Sequence, residues 1–310
     1  MTIPPHDPQP LEATGPRIEP GRRLNPSRQG DRPWRLVITL LGGIVLLLML
    51  LFLVAYSTTS WLDGRRYADV PATTGLGSPS SLTLSSDVGN VNVVHDADVD
   101  DVTLALVENG EISLPAEGDV TRAEITQRGG DSSKTVTVKQ PQGPAAVPWD
   151  QPGRDLLLLI PDGHGMALTV TAGVGDVDID GTFSTLEVTA DVGDVSLDSV
   201  EAPDGVAVTT SVGGADIDLA GSELSTVDVT SSVGDVDVVL PDDAGGTVTV
   251  RTSMGTIDVE VPGSEPWDVE ARSDVGEARV DPDLTRGADS SSALGTLTAT
   301  SDIGDVTITR

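Results

Sequence analysis

The sequence predicts an all-β fold of stacked coils, a β-solenoid, and three observations carry that prediction. First, one short motif recurs between Thr171 and Thr309, in forms such as Ala190-Asp191-Val192-Gly193-Asp194-Val195-Ser196-Leu197 and Ser232-Val233-Gly234-Asp235-Val236-Asp237-Val238. Its glycine falls at Gly175, Gly193, Gly213, Gly234, Gly255, Gly276 and Gly304, at intervals of 18, 20, 21, 21, 21 and 28 residues. A period near 20 marks a repeat architecture in which each unit buries its apolar face only by stacking on its neighbours. Second, apolar and polar residues alternate on both sides of that glycine, the pattern of half-buried strands. Third, aromatic residues make up only 3% of the chain, so the core must be thin and built from Val, Ile, Leu and Ala.

Thr185 to Asp198 shows how one repeat works. Leu186 and Val188 share one face of a strand, and Val195 and Leu197 share the same face of the next. Gly193 turns the corner between them, where a positive φ suits a residue without a β-carbon. The small Ser, Ala or Thr two or three residues earlier fits a bend with little interior room. Each coil should give two or three short strands, paired with the coils above and below at about 4.8 Å. Gly89, in Asp87-Val88-Gly89-Asn90-Val91, is an early copy and joins the seven later glycines as a structural turn.

Ahead of the repeats the chain divides by composition. Residues 1–35 hold eight prolines and six arginines; proline at that density blocks helix and sheet, and a disordered tail is expected. Residues 36–56 carry no charge and are dominated by Leu, Val and Ile. As a helix they would span about 31 Å, the thickness of a bilayer core. Trp34 and Trp61 flank this stretch and arginines precede it, which predicts a single-pass anchor in the plasma membrane with the N-terminus in the cytoplasm. A cleaved signal peptide is the competing reading, but its apolar core would be only about 7–15 residues long. Residues 57–80 read as an extracellular linker, and 81–310 as the solenoid domain. Within it, strands are expected at Ser81–Leu84, Val102–Val107, Ala123–Gln127, Thr135–Lys139 and Asp155–Pro161. A Pro-rich loop covers 140–153, and Asp281 to Ser291 reads as a surface loop that interrupts the period.

Charge is segregated in the same way. The first 35 residues carry six bases and four acids, whereas the chain from Ser57 onward carries 12 bases and 45 acids, a net of −33. Nucleic acid is excluded as a partner of the acidic part, because phosphate binding needs clustered Lys and Arg. There are no cysteines, hence no disulfide, thiolate chemistry or Cys-based zinc site. His6, His95 and His164 are widely separated and read as solvated loop histidines, and no Ser/His/Asp arrangement has a supporting context. Neither a catalytic residue nor a cofactor or metal ligand is predicted. Asp176, Asp194, Asp235 and Asp305 share one repeat position, and Asp178, Asp237 and Asp258 another. Such rows either point into water or bind cations; calcium β-rolls, however, use a nine-residue repeat with paired glycines. Thr-x-Thr pairs such as Thr298 and Thr300 are not expected to recur in rank.

The Ser/Ala-x-Val-Gly-Asp-Val-x-Ile repeats, together with Leu156-Leu157-Leu158-Leu159-Ile160-Pro161-Asp162-Gly163 leading through Leu168-Thr169-Val170 into the first full repeat, resemble the bacterial DUF4097-type β-strand-repeat proteins, an adhesin-like family. The resemblance runs from about Leu82 to Arg310. It implies a single-chain solenoid of the right-handed parallel β-helix type on the outer side of the cell envelope, and it supplies no catalytic residues to carry over. The expected function is that of a membrane-anchored, cell-surface, non-catalytic module, adhesin-like or envelope-structural. Its expected partners are the bilayer through residues 36–56 and a cell-wall polymer, surface protein or membrane sensor protein. Because the family also occurs near envelope-stress signalling systems, an accessory role in such a system is the alternative. A calcium-binding repeat and a polysaccharide-active enzyme are the remaining ones.

Overall fold

The computed structural model describes residues 46, 47, 49, 67–141, 153–221, 224–242, 245–286 and 293–310. The chain divides into two compact units, Met1–Ser60 and Trp61–Arg310. In the first, Leu46, Leu47 and Met49 are helical and exposed. The expected tail and the rest of the expected membrane helix lie outside the described residues. Among the described residues, no helix is long and apolar enough to cross a membrane.

The second unit is almost wholly β. Its first strands are β1 (Ala68–Pro71), β2 (Thr73–Gly77), β3 (Ser81–Ser86), β4 (Val91–Asp96), β5 (Val102–Val107), β6 (Val120–Gly129), β7 (Ser133–Lys139) and β8 (Asp155–Pro161). The repeats follow as β9 (Ala167–Val174) and β10 (Val177–Thr182), β11 (Thr185–Val192) and β12 (Val195–Glu201), then β13 (Val206–Val212) and β14 (Ala215–Leu219). Next come β15 (Thr226–Val233) with β16 (Val236–Val239), and β17 (Gly246–Met254) with β18 (Ile257–Glu260). The last are β19 (Asp268–Val275), β20 (Ala278–Val280), a four-residue helix α1 (Pro282–Thr285), β21 (Gly295–Ile303) and β22 (Val306–Thr309).

Among the described residues two eleven-stranded sheets result, and each repeat gives one strand to each. A coil thus has two strands, the lower of the two numbers expected. Register preserves the repeat: Val188 lies beside Val170 and Val208, and Leu197 beside Ile179 and Ile217. Leu186, Val188, Val195 and Leu197 all point inward and are fully buried in the core between the sheets. Stacking is what buries them, because a lone two-stranded coil could not exclude water from either face.

The N-terminal end departs from a pure parallel stack. The coil β3–β4 lies directly against β9–β10, while β5 to β8 loop out and build the end of the stack. There β1–β6, β6–β7, β2–β5 and β5–β8 are antiparallel. The linker expected over 57–80 is corrected from Ala68 onward: β1 and β2 are the terminal strands of the two sheets, and Leu76 is completely buried. Pro71 disguised the strand, yet proline is tolerated where one side of a strand needs no hydrogen-bond partner.

The C-terminal end departs from sequence order. β21 sits between β17 and β19, and β22 between β18 and β20, so the last coil of the sequence is the penultimate coil of the stack. Packing explains the exchange. Leu297, Ala299, Val306 and Ile308 are fully buried, whereas Val269, Ala271 and Val280 of the outer coil are only half-buried. The coil with the poorer apolar face takes the end position. Asp281 caps α1 by accepting from Asp283 N–H, and Leu284 and Trp267 close the core beneath it. The expected surface loop at 281–291 is therefore corrected in its first part, which is a cap; residues 287–291 lie outside the described residues. Asp268, Glu270, Arg272 and Asp274 along β19 discourage further strand addition.

Candidate functional site

The eight corner glycines form one column in the order Gly89, Gly175, Gly193, Gly213, Gly234, Gly255, Gly304, Gly276. All have positive φ, from 100° to 155°. They also pack backbone to backbone. An added β-carbon at Gly193, Gly213, Gly234, Gly255 or Gly304 would lie 1.9–2.1 Å from the carbonyl oxygen of the glycine in the adjoining coil. Both conformation and space thus demand glycine. Beneath the column, small buried hydroxyls cap these carbonyls: Thr252 donates to Gly234 O at 3.1 Å and Ser301 to Gly255 O at 3.0 Å.

On the far side of each glycine runs a ladder that the repeat pattern did not disclose. Asp176 N–H donates to Asn90 Oδ1 (2.9 Å), Asp194 N–H to Asp176 Oδ1 (3.0 Å) and Gly214 N–H to Asp194 Oδ1 (2.7 Å). Further along, Thr256 N–H donates to Asp235 Oδ1 (2.7 Å) and Glu277 N–H to Asp305 Oδ1 (2.8 Å). Buried Asp155 starts the series by accepting from Asn90 N–H at 3.0 Å and Gly110 N–H at 2.8 Å. A carboxylate bonded to a peptide N–H makes a charge-assisted hydrogen bond, which offsets repulsion from the next Asp in the row. Gly214 and Thr256 interrupt the ladder, since neither has a carboxylate. Of the two expected roles for this row, pointing into water or binding cations, neither describes it fully: one oxygen of each acid staples adjacent coils. Among the described residues, no three His, Asp or Glu side chains gather to hold a metal ion.

The second acidic row lies on the outer face of the sheet containing β10, where Asp216, Asp237 and Asp258 are adjacent. Asp178 lies farther along, beside Ser196. Partial burial, then the charges of Asp258, Asp216 and Asp235, raise the Asp237 carboxyl from its ordinary value. Partial burial, followed by Asp176, Asp198 and Asp155, does the same to Asp178. The fold therefore holds these protons more tightly than the unfolded chain does. Their contribution to stability is largest at low pH and is lost as pH rises through the raised values. The part of the melting temperature that these two groups control is expected to rise as the pH falls from neutrality through their raised values. Asp237→Asn should raise the melting temperature at pH 7 and flatten that slope, by about 0.2–1 kcal/mol for each like-charged neighbour relieved, and less in high salt. A variant less stable than the parent at pH 7 would contradict this account.

On the outer face of the other sheet a single row of hydroxyl side chains recurs, but Thr-x-Thr pairs do not run through the stack, in line with the expectation. Thr137, Ser85, Thr171, Thr189, Thr209 and Thr230 are successive neighbours, followed by Arg251 and Thr300. Glu187 and Asp228 break the companion row that contains Thr169 and Thr298. The histidines are not brought together. His95 Nδ1 lies 3.3 Å from Asp180 O, with its ring edge-on to Phe183, and His164 Nε2 lies 2.9 Å from Pro79 O. Both are tied to backbone rather than simply solvated; His6 lies outside the described residues.

A third row was missed altogether. The residue before each corner glycine is apolar, and Val174, Val192, Val212, Val233, Met254, Ile303 and Val275 are 42–63% exposed. Strand register places them side by side in that order. Alternation from Leu186 through Val188 and Ala190 points Val192 inward. The chain instead leaves the core one residue before the glycine and turns the side chain out. The only available signal was its place next to a positive-φ corner.

No curated protein matches this sequence. A crystal structure of a candidate cell adhesion protein from Clostridium sporogenes aligns with 78% of this chain and 99% of its own, at 11% identity and a TM-score of 0.33. A candidate adhesin from Bacteroides fragilis aligns with 78% of this chain and 97% of its own, at 12% identity and a TM-score of 0.38. The family model described as Toastrack DUF4097 matches residues 162–309, a narrower stretch than the one from Leu82 expected from the motifs. Over residues 162–309, the chain is thus similar to the Toastrack DUF4097 family.

Proposed function

We propose that this chain is a single-pass, membrane-anchored display module whose solenoid faces outward and acts by binding rather than catalysis, in adhesion or in envelope structure. The in-register stack carries this reading. It repeats the same outward side chain at steps of about 4.8 Å, an arrangement suited to holding an extended polymer or polypeptide. The anchor rests on the 21 uncharged residues 36–56 and the six arginines before them. Right-handed winding belongs to the same reading, as parallel crossovers overwhelmingly take that hand.

Protease treatment of intact cells tests it. A tag ahead of Met1 should be protected while the solenoid is released; a protected solenoid in intact cells would reject the outward orientation. In-cell cross-linking then identifies the neighbours. Wall polymer or surface proteins, captured equally well when residues 1–33 are deleted, support the display role. A membrane sensor kinase captured only when those residues are present would replace it with an accessory role in envelope-stress signalling.

A further inference from the structure

The apolar row beside the glycine column is the feature of this surface that the fold itself does not require. Scattered exposed valines are ordinary, but an aligned apolar row is characteristic of an interaction site. Seven residues in register make a ridge about 29 Å long at 4.8 Å per step. Its backbone is already fixed by the corner glycines and by hydrogen bonds between coils, such as Gly193 N–H to Val212 O and Gly213 N–H to Val233 O. Little ordering remains to be done on binding.

Charge selects the occupant. One flank of the ridge is the carboxylate ladder of Asp176, Asp194, Asp235 and Asp305. The other carries exposed Asp191, Asp302 and Asp274, with serines at the middle coils. We propose that this ridge is a docking track for an extended, cationic segment of another polypeptide that also bears apolar side chains. A second copy would bring like-charged flanks together, and the net of −33 from Ser57 onward opposes that approach. An extended segment covering the ridge needs about nine residues at 3.4 Å each. Its same-face side chains recur at about 6.8 Å, out of step with the 4.8 Å ridge, so the track reads composition rather than a fixed sequence. The proposal deepens the binding role given above by naming the partner class.

The test uses the full-length chain in phosphatidylcholine nanodiscs and a fluorescent peptide alternating lysine and valine, read by anisotropy. The parent should bind it, and the triple variant Val192→Ser, Val212→Ser, Val233→Ser should bind at least about tenfold more weakly with an unchanged melting temperature. If the serine variant melts early, the corresponding Val→Thr triple variant takes its place. Asp191→Asn with Asp302→Asn should weaken binding and reduce its salt dependence. Equal binding by the ridge variants, or equal binding of lysine–serine or glutamate–valine peptides to the parent, would overturn the proposal. So would self-association, or attachment to phosphatidylglycerol vesicles, that the triple variant abolishes, since the occupant would then be a second copy or lipid. Failure here leaves outward orientation standing, because protease accessibility reads that separately.

Discussion

Gly213→Ala is expected to cost roughly 3 kcal/mol or more and to open the stack locally. Two penalties coincide at this residue. Its φ of 147° is one that L side chains rarely adopt, a strain of about 1–3 kcal/mol. In addition, the new β-carbon would lie 2.0 Å from Gly193 O and 2.6 Å from its carbonyl carbon. Backbone cannot swing aside like a flexible side chain, so the two coils must part, and the bond from Gly213 N–H to Val233 O is put at risk. Gly163→Ala separates the two penalties. Gly163 has a φ of 74° and open space around its missing β-carbon, so only the conformational cost of about 1–2 kcal/mol applies. Denaturant titration of both variants checks the difference. Equal losses would mean that the close approach between coils contributes nothing, while faster amide exchange confined to the coils around Gly213 would locate the opening.

The glycine column was legible because glycine is the one residue that meets both demands, and a tight bend repeated seven times leaves a regular trace. The inward set was legible for a similar reason: Leu186, Val188, Val195 and Leu197 follow strand alternation without exception. What escaped was whatever depends on a neighbour distant in sequence. Asp194 looks the same in the chain whether its carboxylate meets water, a cation or, as found, the N–H of Gly214 one coil away. Val192 obeys the inward parity, and only the geometry of the corner turns it out. Leu76 stands among Pro71, Gly75 and Gly77, a composition indistinguishable from a tether until the sheet ends that need covering are known. Periodicity reports that a coil exists, not which coil it stacks on. The interval of 28 residues before Gly304 was the sole hint of a changed order.

That changed order gives the second large effect: ending the chain at Leu294 should dismantle two coils rather than one. β21 pairs with β17 over Gly246–Met254 and with β19 over Asp268–Val275, so it bridges the body of the stack to its outermost coil. The truncation takes β22 as well, and with the two strands go buried Leu297, Val306 and Ile308, each worth about 1.5–3 kcal/mol as an upper estimate. The outer coil has little to hold it afterwards. Its Val269 and Ala271 are half-buried even in the intact protein. Trp267 packs so closely on Gly295 that a β-carbon there would meet its ring at 2.6 Å, and this seat goes with the deletion. Asp281 N–H likewise loses the carbonyl of Ile308 at 2.9 Å. Against this stands one rescue, in which β19 drops one step and pairs with the vacated edge of β17, at a spacing of 21 residues between Gly255 and Gly276 that matches the earlier coils. The rescue would have to reseat Trp267 and carry α1 with it, so packing favours loss. Hydrogen exchange decides between them: amides of 268–280 should exchange freely in the shortened chain, and protection equal to that of the intact protein would show that the outer coil moves down and pairs directly with β17.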